Sequence, residues 1–218
     1  MDSLENAIQS LNKALPNALS GPQLQGIKST IDQYAVSAAV AGAVSGFVPG
    51  VAGILAALTQ TGLVWATYVK INQALGISMK ENTAKFLGSA IATNMITNVG
   101  AMLVSYAAAA VISFIPLIGQ FLAATANAAI GYVFIYACAT IYLKLITKLV
   151  RPDGTIEIAD EEATKNIIKD IINRSNMKEI ISEGRNNYKK AKNEGVIDEA
   201  IKNHEQKSKN TIEVERKI

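Results

Sequence analysis

Apolar positions along this chain change spacing twice, and the changes divide it into three parts. Leu4, Ile8, Leu11 and Leu15 recur at helical spacing, which predicts a short amphipathic helix over residues 3–15. Pro16 and the Ser20-Gly21-Pro22 cluster break it, and a second helix begins near Pro22. After Asp32 the alternation of polar and apolar residues disappears. Gln33–Val69 is uncharged and is divided by Pro49-Gly50, which ends one helix and starts another. The arm Val51–Val69 would be roughly 28 Å long at the α-helical rise, close to the thickness of a bilayer's hydrocarbon core. A linker, Lys70–Lys85, precedes a longer uncharged run from Phe86 to Leu143, which Pro116 divides into two arms long enough to span with tilt.

Beyond Leu143 the chain becomes polar within one turn. Arg151-Pro152-Asp153-Gly154 is a turn signal. Asp160 is an expected N-cap for a helix through Asn173, with Ile167, Ile168, Ile171 and Ile172 as its apolar stripe. Ser175 is the expected cap of the next helix, which Gly184 or Gly195 would interrupt. The end, from Lys202, is polar enough to fray.

The fold expected is therefore all-α: a membrane bundle of two Pro-centred apolar hairpins, 33–69 and 86–143, after an amphipathic segment 1–32 and before a charged helical tail 144–218. The hairpins resemble each other at an offset of 67 residues. Phe47-Val48-Pro49 matches Phe114-Ile115-Pro116, Leu55-Ala56-Ala57 matches Leu122-Ala123-Ala124, Gln60 matches Asn127, and Trp65 matches Tyr132. Such a repeat implies hairpins related by a pseudo-two-fold axis, with Pro49, Gly50 and Pro116 at their turns.

Charge strengthens the division. Between Gln33 and Leu143 the only charges are Lys70, Lys80, Glu81 and Lys85, whereas 30 of the 39 charged residues follow Leu143. The net charge of +3 thus describes no uniformly basic surface, and a nucleic-acid partner is not expected. Burying such apolar arms in water requires a jacket of amphipathic helices, and the narrow stripes of the remaining helices look insufficient for it. A bilayer removes the requirement, because each helix satisfies its own backbone. Lysines beside the arm ends favour a cytoplasmic side for both termini, with residence in a bacterial inner membrane. Trp65 and Tyr68 before Lys70, and Tyr136 and Tyr142 before Lys144, form a candidate interfacial belt. An apolar helix can also end in an aromatic for other reasons. The turns at Phe47–Gly53 and Phe114–Gln120 carry no charge, so full spanning and partial insertion both fit.

Polar residues inside the apolar zone are amides and hydroxyls. Ser89, Thr93 and Thr97 form an i, i+4, i+8 row beside Asn94 and Asn98, while Gln120 and Asn127 lie on a face with Ala124 and Gly131. With Gln60 they are candidates for intramembrane packing through interhelical hydrogen bonds, or else for a polar path. No acidic residue or His lies in these runs, which argues against a proton relay.

No enzyme site is expected, nor any cofactor or metal. The single His204 lies in the charged tail. Gly21–Ser29 fails as a phosphate loop because Ile27 separates Gly26 from Lys28, and no strand precedes it. Asp160-Glu161-Glu162 is better explained as the acidic start of a helix than as a cation site. Cys138 is alone, so no intrachain disulfide forms, and its apolar setting makes it a small buried hydrophobe. The first fifteen residues lack the pattern of a signal peptide, and Met1-Asp2 carries no myristoylation signal.

The central region, residues 35–148, resembles a bacterial domain of unknown function that often follows the G domain of Era-like GTPases and also occurs in inner-membrane proteins. The resemblance rests on Phe47-Val-Pro-Gly-Val-Ala-Gly with Gln60, on Ile115-Pro116-Leu-Ile-Gly119, and on the Ala/Gly/Tyr-rich helix ending in Ile141-Tyr142-Leu143. It implies membrane association and a GTPase partner, fused or separate; no G-domain sequence is present in the 218 residues. The expected function is a non-enzymatic integral membrane module, a homo-oligomer or a scaffold whose cytoplasmic tail recruits a GTPase or another soluble protein. A pore-forming or membrane-permeabilising toxin or effector is the alternative, and a soluble helical lipid-binding protein a third.

Overall fold

A computed structural model describes the backbone of residues 3–44, 62–112 and 120–215, apart from 152, 154, 157 and 159. Side chains at 104, 106–123 and 211–215 also lie outside the description. The expected hairpin turns at Pro49, Gly50 and Pro116, and the amide of Gln60, therefore fall outside the described residues.

Among the described residues the protein is all-α, with no strand beyond one isolated bridge between Val150 and Ile156. The helices are α1 (Ser3–Ala14), α2 (Gly21–Val44), α3 (Leu63–Leu75), α4 (Glu81–Ile112), α5 (Gln120–Leu149), α6 (Glu161–Arg174), α7 (Met177–Asn193) and α8 (Val196–Glu215). Two of them, over Glu81–Leu103 and Ala124–Leu149, are long and apolar enough to cross a membrane. The positions 32/33 and 143/144, where the composition changes, fall inside α2 and α5. Charge thus changes along continuous helices.

Helix α5 is the axis of the bundle. It is apolar on all sides, and a helix of that kind is stable only when enclosed on all sides. Helices α1, α2, α3, α4, α6 and α7 all pack against it. From Ala128 to Leu143 every residue of α5 is buried. The closest association is with α2, and it depends on two glycines. A Cβ at Gly42 would stand 2.8 Å from the carbonyl carbon of Asn127 and nearer still to its oxygen; at Gly131 it would stand 2.9 Å from that of Ala38. Each helix therefore gives up a side chain where it meets the other's backbone, four residues apart in antiparallel register. The small-xxx-small spacing Ala38–Gly42 faces the matching spacing Asn127–Gly131.

The outer helices are amphipathic and turn narrow stripes inward. Helix α1 buries Leu4, Ala7, Ile8 and Leu11. Helix α7 buries Met177, Ile180, Ile181, Gly184 and Tyr188. Such stripes suffice as a jacket because the contacts are close: Gly184 lies over the ring of Tyr136, where a Cβ would be 3.1 Å from Cδ1. The apolar arm that forms α5 does have a protein jacket, contrary to the expectation from stripe width, whereas the candidate span over Glu81–Leu103 of α4 is less than half buried. Hydrogen bonds fix its edges. The Ser3 amide donates to Glu183 Oε1 at 2.6 Å, joining α1 to α7, and Lys28 pairs with Glu5 across α1 and α2.

Caps set the helix ends. Ser20 and Gln23 make a reciprocal capping box at the start of α2, the Ser20 amide donating to Gln23 Oε1 at 3.0 Å and the Gln23 amide to Ser20 Oγ at 3.4 Å. Asp160 caps α6 as expected, accepting from the Ala163 amide at 2.6 Å. The cap of α7 is Asn176, one residue beyond the expected Ser175. Gly184 interrupts nothing. Gly195, at φ +78°, ends α7 in the left-handed conformation open to glycine. The polar end, expected to fray from Lys202, is helical in α8 as far as Glu215.

The α2–α5 contact is the most sensitive point of this packing. Gly42→Val or Gly131→Val should destabilise the fold by about 2–3 kcal/mol, as overpacking does in a tight interior. Gly100→Ala, where nothing lies within 4 Å, should be neutral or slightly stabilising. Chemical denaturation of the three variants measures the difference.

Candidate functional site

The residues singled out in the sequence fall into two groups: those on the outer face of α4 and those on α3 and α5 inside the bundle. Ser89, Thr93, Thr97 and Asn98 are exposed on α4, with Lys85 below them and Ser105 above. Asn94 is half-buried at the margin. Their polar atoms turn back onto their own helix. Asn94 Nδ2 donates to Ala90 O and Asn98 Nδ2 to Asn94 O, both at 2.9 Å, and the hydroxyls of Thr97 and Ser105 donate to Thr93 O and Ala101 O. The row expected to join helices thus lies on the outside of α4. Asn127 sits half-buried on α5 and contributes its carbonyl to the Gly42 contact. Gln120 begins α5, with its side chain outside the described residues.

The aromatic residues expected near a membrane interface are placed differently from one another. Trp65 is half-buried, and the Lys85 ammonium lies 5.2 Å from its ring centroid. Lys70 is exposed and donates to Gln73 Oε1 at 3.0 Å. Lys144 is half-buried and donates to Ser175 Oγ at 3.0 Å. Tyr68, Tyr136 and Tyr142 are enclosed by protein. The rings of Tyr68 and Tyr142 stack with centroids 3.9 Å apart and planes 3° apart. Their hydroxyls are satisfied internally, Tyr142 donating to Asn72 Oδ1 at 2.8 Å and Tyr68 to the Cys138 carbonyl at 3.2 Å. This pair joins α3 to α5 by a polar contact within an apolar interior. Asn72, a member of the contact, was missed in the sequence. Its position after Lys70 reads as linker, and only the six-residue shift of the helix end, from Val69 to Leu75, brings it inward.

A second polar junction joins α2, α5 and α7. Tyr132 donates to Asp32 Oδ1 at 3.3 Å, and Tyr188 meets the Tyr132 ring edge-on at 5.8 Å. Partial burial pushes the Asp32 carboxyl up from its ordinary value, against the opposing pull of the Tyr132 hydroxyl and the charge of Lys190. The residue as a whole stays more than a third exposed, so solvent screens part of these interactions.

Among the described residues no group of three or more His, Cys, Asp or Glu side chains is placed to hold a metal. Gly21–Ser29, the failed phosphate loop, is the first part of helix α2. Asp160 and Glu161-Glu162 serve the start of α6. Cys138 is a free, buried thiol. No known protein family, curated protein or solved structure matches this chain.

What the arrangement provides is an unequal distribution of surface. Large hydrophobic side chains exposed among the described residues are Val44, at 41%, and Val196, at 43%. The candidate span over Ala124–Leu149 is covered by neighbours almost throughout. The uncharged segments 45–61 and 113–119 follow the C-terminal ends of α2 and α4. The end of α2 lies beside the start of α5, since Gly42 touches Asn127. Both segments are thus joined to the same end of the α2–α5 pair.

Tyr142→Phe removes the donor to Asn72 and leaves a buried amide oxygen short of a partner, so a loss of about 1–3 kcal/mol is expected in urea denaturation. Asp32→Asn should act on pH dependence. A raised carboxyl holds its proton better in the folded chain, so it favours folding at acid pH and loses that contribution as pH rises through the raised value. The variant should flatten the stability profile in that acid window.

Proposed function

We propose that this chain is a non-enzymatic membrane-associating module. Its helical body stays at the water side, and the uncharged segments 45–61 and 113–119 enter one side of a bilayer. The observation that carries the reading is the water-compatible surface of the body. Helix α4 turns Lys85, Ser89, Thr93, Thr97, Asn98 and Ser105 outward, and Val44, next to the first uncharged segment, is one of two large hydrophobics exposed among the described residues. A lipid-facing helix would turn its branched aliphatic residues outward instead. Partial insertion is thus favoured over full spanning.

The finer features belong to the same proposal. A pseudo-two-fold repeat of two hairpins accords with the packing of α2 against α5 and of α3 against α4. Association with a GTPase, residence at a bacterial inner membrane with both termini cytoplasmic, and homo-oligomerisation follow from the family resemblance and the charge layout. The polar outer faces of α6, α7 and α8 offer a soluble partner a water-exposed surface.

A pore-forming effector is the second reading, favoured by one observation: the most apolar helix, α5, is hidden inside a jacket. Flotation of the full chain with phosphatidylglycerol-containing vesicles, followed by carbonate extraction, separates the readings. The module should float, resist carbonate and release no entrapped dye, and Phe47→Asp with Phe114→Asp should abolish flotation. Dye release would support the pore-former; a wild-type chain left at the bottom of the gradient would refute membrane association.

A further inference from the structure

We infer that the groove between α2 and α7, over Tyr132 of α5, is a binding site for a small zwitterion: a free α-amino acid with an apolar side chain. The inference does not depend on membrane association.

The groove follows from the packing. Helices α2 and α7 both pack against α5, while no comparable packing joins α2 to α7, so a channel is left between them. Helix α1 closes one end, where Glu5 pairs with Lys28. Helix α8, which packs on both α2 and α7, closes the other. Tyr132 lies at the floor. The main hollow has a volume of about 280 Å³, and a smaller one of about 120 Å³ continues it toward α1, sharing Asp32 and Asn187. Together they approach the lower end of the range of about 300–1,000 Å³ that small-molecule sites occupy.

The two walls carry opposite charges that the fold does not use up. On α2, Asp32 accepts one hydrogen bond, from Tyr132 at 3.3 Å, although a carboxylate offers about four acceptor positions. On α7, Lys190 and Asn187 line the same space and make no hydrogen bond or ion pair among the described residues. The charge of Lys190 acts on Asp32 through space only. An ammonium at Asp32, with Glu194 as the groove's second carboxylate, and a carboxylate at Lys190 beside the Asn187 amide would satisfy both walls. A bare amine would leave Lys190 facing a second cation, and a bare acid would stand against two carboxylates. The rest of the lining is apolar. Val36 and Ala191 pack onto the core from opposite walls, and Val196, 43% exposed, is left open beside them. A short aliphatic side chain would cover it, which is favourable in proportion to the apolar area removed from water.

Isothermal titration calorimetry of the purified full chain with L-leucine at low salt tests the inference. Saturable binding with a Kd of about 1 mM or below is expected. Isoamylamine and isocaproate, each leucine without one of its charges, and glycine, without the side chain, should each bind about tenfold or more weakly. Lys190→Gln, at an exposed position, should weaken leucine by about tenfold. The same variant should bind isoamylamine no worse and keep its melting temperature, which separates a ligand contact from an effect on folding. Absence of saturation by leucine, isoamylamine binding as tightly as leucine, or unchanged leucine affinity in Lys190→Gln would overturn the inference. Preference for glycerophosphoethanolamine over leucine would also overturn it, in favour of a lipid headgroup.

Discussion

Everything in this fold depends on how closely α2 approaches α5. Gly42 and Gly131 allow the two backbones to touch at Asn127 and Ala38, and the contact sets both the register and the spacing of the pair. With α2 this close, α5 is closed on one side by backbone and small side chains rather than by a layer of large ones. The remaining sides are closed by α1, α3, α4, α6 and α7, of which α1 and α7 turn inward stripes only a few residues wide. Lose the glycine contact and the same short helices no longer reach around the central one.

The tyrosines then do what large aliphatic residues do in an ordinary core. Tyr68 and Tyr142 stack, Tyr132 and Tyr188 meet at an edge, and Tyr136 fits beneath Gly184. Each ring fills volume, and the hydroxyls that reach Asn72, Asp32 or a carbonyl add direction to the packing. This combination of glycine contacts and hydrogen-bonded aromatic rings lets an apolar helix of 30 residues sit inside a body whose described outer surface is polar. Among the described residues, the large hydrophobics left exposed are Val44, at the α2–α5 end, and Val196, at the start of α8.

The sequence disclosed the helices far better than their arrangement. Apolar spacing and the cap at Asp160 located α1 and α6 to within one or two residues, the break at Ser20-Gly21-Pro22 located the start of α2, and the absence of charge marked α4 and α5. Missing charge does not end a helix: α2 continues through Asp32-Gln33, as the second helix was expected to, and α5 runs through Leu143-Lys144, because nothing in the backbone ends there. The jacket was also underestimated. Stripe width was judged as though large side chains had to do the covering, and no local signal tells a glycine that meets another backbone, such as Gly42, from one in open space, such as Gly100. The same limit applies to the candidate residues. Hydroxyls at i, i+4 and i+8 identify a helical face, but which way that face points is decided by the rest of α4, where Leu87, Ile91, Met95 and Val99 turn inward. Asn72 was illegible for a similar reason, since its role arises from a tyrosine 70 residues away.

The central claim is that α5 stays enclosed in this body, in water and at a bilayer alike. Hydrogen–deuterium exchange of the intact chain, with and without phosphatidylglycerol vesicles, tests it most directly. The account predicts slow exchange across residues 128–146 in buffer, unchanged on vesicles, with α1 and α7 equally unaffected. Loss of protection in α1 and α7 on adding vesicles would mean that the jacket opens and releases α5, which contradicts it.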